Sequence, residues 1–108
     1  MDNTFNIDTL RDFASKTMIP NSEVWLYGSR ARNDYRANSD WDLLVLLNKD
    51  KITTDDFDRF GYSFILFGSQ FSEDINPQLY TFREWEDRKI TPYYQNVEHD
   101  KLAIYGTK

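Results

Sequence analysis

Five consecutive apolar residues, Leu43-Leu44-Val45-Leu46-Leu47, follow directly on Asp40-Trp41-Asp42. Such a run has no polar face to offer water. It predicts a strand over 40–47 that is central in a sheet and covered on both sides. Its acidic entrance stands out because nothing else in the strand is charged.

The rest of the chain supplies elements to pack around that strand. Ile7, Leu10, Ala14 and Met18 share one face of a helix predicted over 6–18, with Asn6 as its N-cap. Glu23 to Tyr27 reads as a strand that stops at Gly28-Ser29, and residues 30–39 as a short basic helix followed by a loop. Thr53 and Asp56 have capping-box spacing and open a long helix. Phe57, Phe60, Phe64, Phe67 and Phe71 form an aromatic stripe expected to lie on the sheet, with Gly61 and Gly68 weakening the helix. Ile75 to Phe82 reads as a third strand near an edge, since Pro77 interrupts its donors. Thr81 and Glu84 form a second capping box before a helix at 83–89. A short helix over 93–99 and an extended piece at 102–105 close the chain. No linker, internal repeat or low-complexity tract divides it, so a single domain over 1–108 is expected.

The composition is that of a packed chain rather than a disordered one. Hydrophobic residues make up 40% and charged residues 29% of 108 positions, and the 17% aromatic share helps a small core bury enough area. A net charge of -5 argues against broad nucleic-acid binding. The absence of cysteine excludes disulfides and thiolate metal sites. No apolar run long enough to span a membrane appears, and Met1-Asp2-Asn3-Thr4 lacks a signal peptide's basic start, so a cytoplasmic location is expected.

The chemistry concentrates between Gly28 and Asp42. Asp40 and Asp42, two apart on a strand, point to one face. Two adjacent carboxylates repel, and a divalent cation such as Mg²⁺ or Mn²⁺ is the usual remedy. A glycine after a strand lets backbone amides approach an anion closely, and Ser29 adds a hydroxyl donor. Arg30 and Arg32 carry charge that would neutralise phosphate. Taken singly, each feature is also what ordinary loops and helix surfaces contain. His99, the single histidine, lies in a polar stretch and reads as a surface residue. Trp25, Trp41 and Trp85 read as packing residues, with Trp41 on the face opposite the two aspartates.

Taken together, Gly28-Ser29-Arg30-Ala31-Arg32 followed by Ser39-Asp40-Trp41-Asp42-Leu43 resembles the signature of the DNA polymerase β-like nucleotidyltransferases. More narrowly, the chain is similar to the minimal nucleotidyltransferases, small proteins often encoded beside a helical HEPN partner in toxin–antitoxin pairs. The resemblance implies an α+β fold, a small mixed β-sheet with helices packed on it. It implies metal-dependent transfer of a nucleoside monophosphate from a triphosphate, ATP foremost, to a protein or small acceptor. Gly28, Ser29, Arg30, Arg32 and Ser39 would bind the nucleotide, and Asp40 and Asp42 would hold the metal and serve catalysis.

Two positions depart from the pattern. Asn33 stands where the family usually has glycine, a mild change because Asn tolerates a left-handed backbone. The family also carries a third carboxylate on the strand after the long helix. Here that strand reads Ile75-Asn76-Pro77-Gln78-Leu79-Tyr80 and has no acid. Glu73 and Asp74, just before it, are the candidates to complete the metal shell. The alternative is a catalytically weak or inactive relative that acts by binding a partner.

Overall fold

The structure is a computed structural model and describes residues 4–106. Four strands form one mixed sheet in the order β3-β2-β1-β4. Strand β1 (Glu23–Tyr27) pairs antiparallel with β2 (Trp41–Leu47) on one side and with β4 (Leu102–Tyr105) on the other. Strand β3 (Ile75–Thr81) runs parallel to β2 and forms one edge. The apolar run does occupy a central strand, and Leu43 to Leu47 are all buried.

Strand alternation divides those residues between two layers. Val24, Leu26, Trp41, Leu43, Val45 and Leu47 join the larger core beneath α1 (Ile7–Thr17) and the long helical stretch. Leu44 and Leu46 face the smaller core, with Trp85 from α5 (Phe82–Glu86) and Val97 from α6 (Pro92–Asp100). Trp41 packs edge-on against Phe5, away from Asp42, as its alternation predicts. The α+β class and the mixed sheet are thus both present.

The local signals worked where side chains could close hydrogen bonds. Asn6 caps α1, and both capping boxes form, Thr53 with Asp56 and Thr81 with Glu84. Pro92 starts α6, its missing N–H being harmless in a first turn. The short basic helix and loop after β1 are both present: α2 is one turn, Ser29–Arg32, and residues 33–40 form a loop.

The long helix departs most from its pattern. It comprises α3 (Thr54–Phe57), a π-helical segment Asp58–Tyr62, and α4 (Ser63–Ser69). The wider π turn changes the phase of the aromatic stripe. Phe60 and Phe64 are buried and Phe67 and Phe71 pack partly, but Phe57 is 53% exposed. No helix among the described residues is long and apolar enough to cross a membrane.

Candidate functional site

Gly28 and Asp42 define the centre of the site. Tyr27 ends β1 opposite Asp42 in register, so the next residue lies beside that carboxylate. Gly28 adopts φ 77° and ψ -157°, a backbone that other residues rarely tolerate. A Cβ there would also lie 2.6 Å from Asp42 Oδ2. Glycine is therefore required both by the turn and by the carboxylate seated on it. The Gly28 carbonyl accepts the N–H groups of Ala31 and Arg32 at 3.1 and 3.0 Å. The N–H groups of Ser29 and Arg30 then have no acceptor within the helix. Asn33 closes α2 in the left-handed conformation, φ 65°, which accounts for its tolerance where glycine was expected.

The residue opposite Asp42 on β3 is Asn76. Its Nδ2 donates to Asp42 Oδ1 at 3.2 Å, and Gln78 Nε2 donates in turn to Asn76 Oδ1 at 3.3 Å. An amide ladder thus lies beside the aspartate. Burial pushes the half-buried Asp42 carboxyl above its ordinary pKa, and the charge of Asp40 acts in the same direction. The Asn76 amide and Arg32 oppose both. Asp40 itself is exposed, one residue before β2 begins.

Aromatic hydroxyls complete this face. Tyr27 and Tyr93 share a hydrogen bond at 2.9 Å between their hydroxyls. Burial raises the Tyr27 pKa, with Tyr93 and the Asp42 charge adding to it, so its phenol keeps its proton at neutral pH. Tyr93 rests edge-on against Trp85, with centroids 5.7 Å apart.

Several residues selected from sequence do other work. The Arg30 side chain is enclosed between the Tyr35 and Trp41 rings, 4.1 and 4.4 Å from their centroids. Its guanidinium donates to the carbonyls of Ala37 and Ser39 and stands 3.6 Å from Glu73. It therefore holds the 33–40 loop down rather than facing an incoming phosphate. Ser39 Oγ accepts the Arg36 N–H at 2.9 Å, a loop-internal bond. Glu73 accepts the Trp41 indole N–H at 3.0 Å, on the face opposite Asp42. Asp74 is exposed, and its carbonyl receives the Trp41 N–H. Neither acid joins the aspartate pair, and among the described residues no three His, Asp or Glu side chains stand close enough to hold a metal ion. Arg32 is nearer the pair, and its long side chain is half exposed. It bonds Asp34 at 3.1 Å and Asp100 at 2.7 Å, tying α2 to α6.

Sequence reasoning missed Asn76, Gln78, Tyr27 and Tyr93. The first two had a signal: they alternate around Pro77, so both fall on one face of β3. Tyr27 was the last residue before the glycine turn. Nothing local marks Tyr93, which α6 brings in from the end of the chain.

A sequence-family model for the nucleotidyltransferase domain matches residues 7–98. No curated protein matches the chain. Among solved structures, "Crystal structure of the toxin-antitoxin with AMP-PNP" is similar, with a TM-score of 0.62 and 19% identity. The superposition covers 96% of this chain and 76% of that one. At such identity the likeness speaks for the fold alone.

Proposed function

We propose that this chain, which belongs to the nucleotidyltransferase domain family, transfers a nucleoside monophosphate from a triphosphate to an acceptor hydroxyl on a partner protein. The observation that carries this reading is the contact between Gly28 and Asp42. A turn that exposes backbone N–H groups and a carboxylate suited to a cation meet at one point, where a Cβ would fall 2.6 Å from the carboxylate oxygen. The AMP-PNP in the name of the structural neighbour favours ATP as donor. That neighbour's toxin–antitoxin assembly favours a protein acceptor and an antitoxin role; a helical HEPN-type partner is what the sequence resemblance adds.

In this reading the phosphates rest on the Gly28 turn. The N–H groups of Ser29 and Arg30 and the Ser29 hydroxyl donate to them. Asp40 and Asp42 would hold Mg²⁺ or Mn²⁺. Two carboxylates suffice only if phosphate oxygens and water fill the other positions, which is the common arrangement for Mg²⁺. The donor set fits: both ligands are carboxylates, and their mutual repulsion is what a cation relieves. When bound, the ion supplies charge neutralisation at the reacting phosphate. Arg32 adds a positive charge on the same side. The acceptor oxygen forms a bond to the α-phosphorus, the bond to the bridging oxygen breaks, pyrophosphate departs, and the acceptor's proton passes to water. The chain's contribution is positioning and charge compensation.

The test is incubation with labelled ATP, GTP, CTP or UTP, Mg²⁺ and a candidate partner. Transfer is expected with one nucleotide foremost and is expected to vanish in Asp40→Asn plus Asp42→Asn. Label transfer that survives the double substitution refutes the assignment. A second reading is favoured by Asn76, a neutral amide bonded to Asp42. In it the chain binds nucleotide and partner without transferring. That version predicts triphosphate binding by calorimetry with no pyrophosphate release, and unchanged partner affinity in the double variant.

A further inference from the structure

Away from the aspartates, a groove of about 230 Å³ runs between the π-helical segment and the free edge of β3. Phe57, Gly61, Tyr62 and Ile65 line one wall and Pro77 and Leu79 the other. Gly61 opens the floor: a side chain there would begin 3.3 Å from Leu79 Cδ1. Phe57, Tyr62, Ile65 and neighbouring Leu66 are 53%, 54%, 40% and 48% exposed. Four large apolar side chains standing in water along one helical stretch exceed the scattered exposure of an ordinary surface. The π turn that follows Phe57 is a distortion found frequently at functional sites.

The edge of β3 determines what can enter. The Trp41 N–H donates to the Asp74 carbonyl, so the even residues of β3 face β2 and the odd ones face outward. Pro77 therefore puts its missing N–H on the free edge. An added strand would lose a central hydrogen bond there, and proline on an edge is a common guard against strand addition. The groove is left to take side chains, as from a helix laid across it.

Charge selects among such helices. Asp58 is the one charged residue lining the groove, Asp55 on the same helical stretch is paired with Arg59 at 3.8 Å, and the chain carries a net charge of -5. A second copy carries the same net charge of -5, so its approach is opposed where that of a cationic helix is favoured. We infer that the groove docks an amphipathic helix of another protein, with large apolar side chains about one turn apart and a lysine or arginine beside them to meet Asp58. This inference does not depend on transfer chemistry, since a partner neutralised by binding alone would use the same groove.

The probes are two synthetic amphipathic helical peptides bearing leucines four residues apart, one flanked by lysines and one by glutamates. Fluorescence anisotropy with the full chain is expected to show the lysine peptide binding at least tenfold more tightly. That binding should weaken with salt and fall at least tenfold in Ile65→Asp and in Asp58→Lys. Circular dichroism melting checks that both variants fold, and Tyr62→Ala serves as a milder second variant. Hydrogen exchange should show protection by the peptide at 57–66. Binding of neither peptide, equal binding of both, or affinity unchanged in Ile65→Asp and Tyr62→Ala overturns the inference. So does a dimer in sedimentation that Ile65→Asp splits, because the groove then serves a second copy.

Discussion

Replacing Asn76 by aspartate would place a third carboxylate where the structure has an amide, and its cost follows from one distance. The Asn76 amide lies 3.2 Å from Asp42 Oδ1, where two unit charges would repel by about 1 kcal/mol in water and about 5 kcal/mol at an effective dielectric near 20. Proton uptake by the added carboxyl sets a ceiling of about 4 kcal/mol at neutral pH. Asn76 is exposed, so the repulsion falls toward the lower figure, and the lost hydrogen bond adds about 1 kcal/mol. A net destabilisation of about 2 kcal/mol follows, or a fall of about 10 °C in melting temperature for a domain of this size. That fall is expected in EDTA. In Mg²⁺ at about a hundred times its dissociation constant, binding returns about 2.7 kcal/mol and restores the loss. Differential scanning fluorimetry with and without Mg²⁺, joined to calorimetry of Mg²⁺ binding, reads both arms. An equal fall in EDTA and in Mg²⁺, with metal affinity no tighter than in the unaltered protein, would refute the reasoning that Asn76 occupies an ion-facing position.

Other substitutions probe the same frame. Gly28→Ala meets both a positive φ and the Asp42 carboxylate, so a loss of about 1–3 kcal/mol in urea melts is expected, together with loss of triphosphate binding by calorimetry. Asp42→Asn should act oppositely on stability: the folded state raises this carboxyl's pKa, so its favourable contribution is complete below the unfolded value of 3.8 and is lost as pH rises through the folded value. The metal-free amide variant should therefore melt above the parent at neutral pH, and the gap should close in acid; a variant that melts lower would count against a burdened carboxylate. Arg30→Ala strips charged donors from two loop carbonyls and should cost about 2–3 kcal/mol. Arg30→Lys should recover little of that, because a lysine lacks the flat fork that sits between two rings. Asp56 is buried, a desolvation outweighed by the Lys49 and Thr53 bonds that hold its pKa down. Asp56→Ala should cost at least about 1 kcal/mol at neutral pH, a penalty that shrinks as pH falls through the carboxylate range.

The sheet was legible because its evidence is local. An unbroken apolar run cannot sit at a surface, a serine or threonine three residues before an acid closes a cap, and a proline inside a strand confines it to an edge. The π turn at Asp58–Tyr62 was not legible, since five phenylalanines at spacings of three and four satisfy an ordinary helix equally well. The wider turn sets Gly61 against Leu79, where a Cβ would lie 3.3 Å from Leu79 Cδ1. Within the site, residue type alone could not separate Arg30 from Arg32. Both follow the glycine turn and both carry the charge a phosphate would want. Their fates are decided by Tyr35 and Trp41, which enclose Arg30, and by Asp100, some seventy residues on, which holds Arg32 at the surface. The third-carboxylate question has the same form. Glu73 and Asp74 fall three and two residues before Asn76, ahead of β3, and Glu73 turns to the indole of Trp41. The position that matters is Asn76, fixed by a parallel register with β2 that no stretch of β3 encodes by itself. An amide there leaves Asp42 with a hydrogen bond in place of a second repelling charge. Under the proposed function, such a frame would need the oxygens of a bound triphosphate to complete a cation's shell.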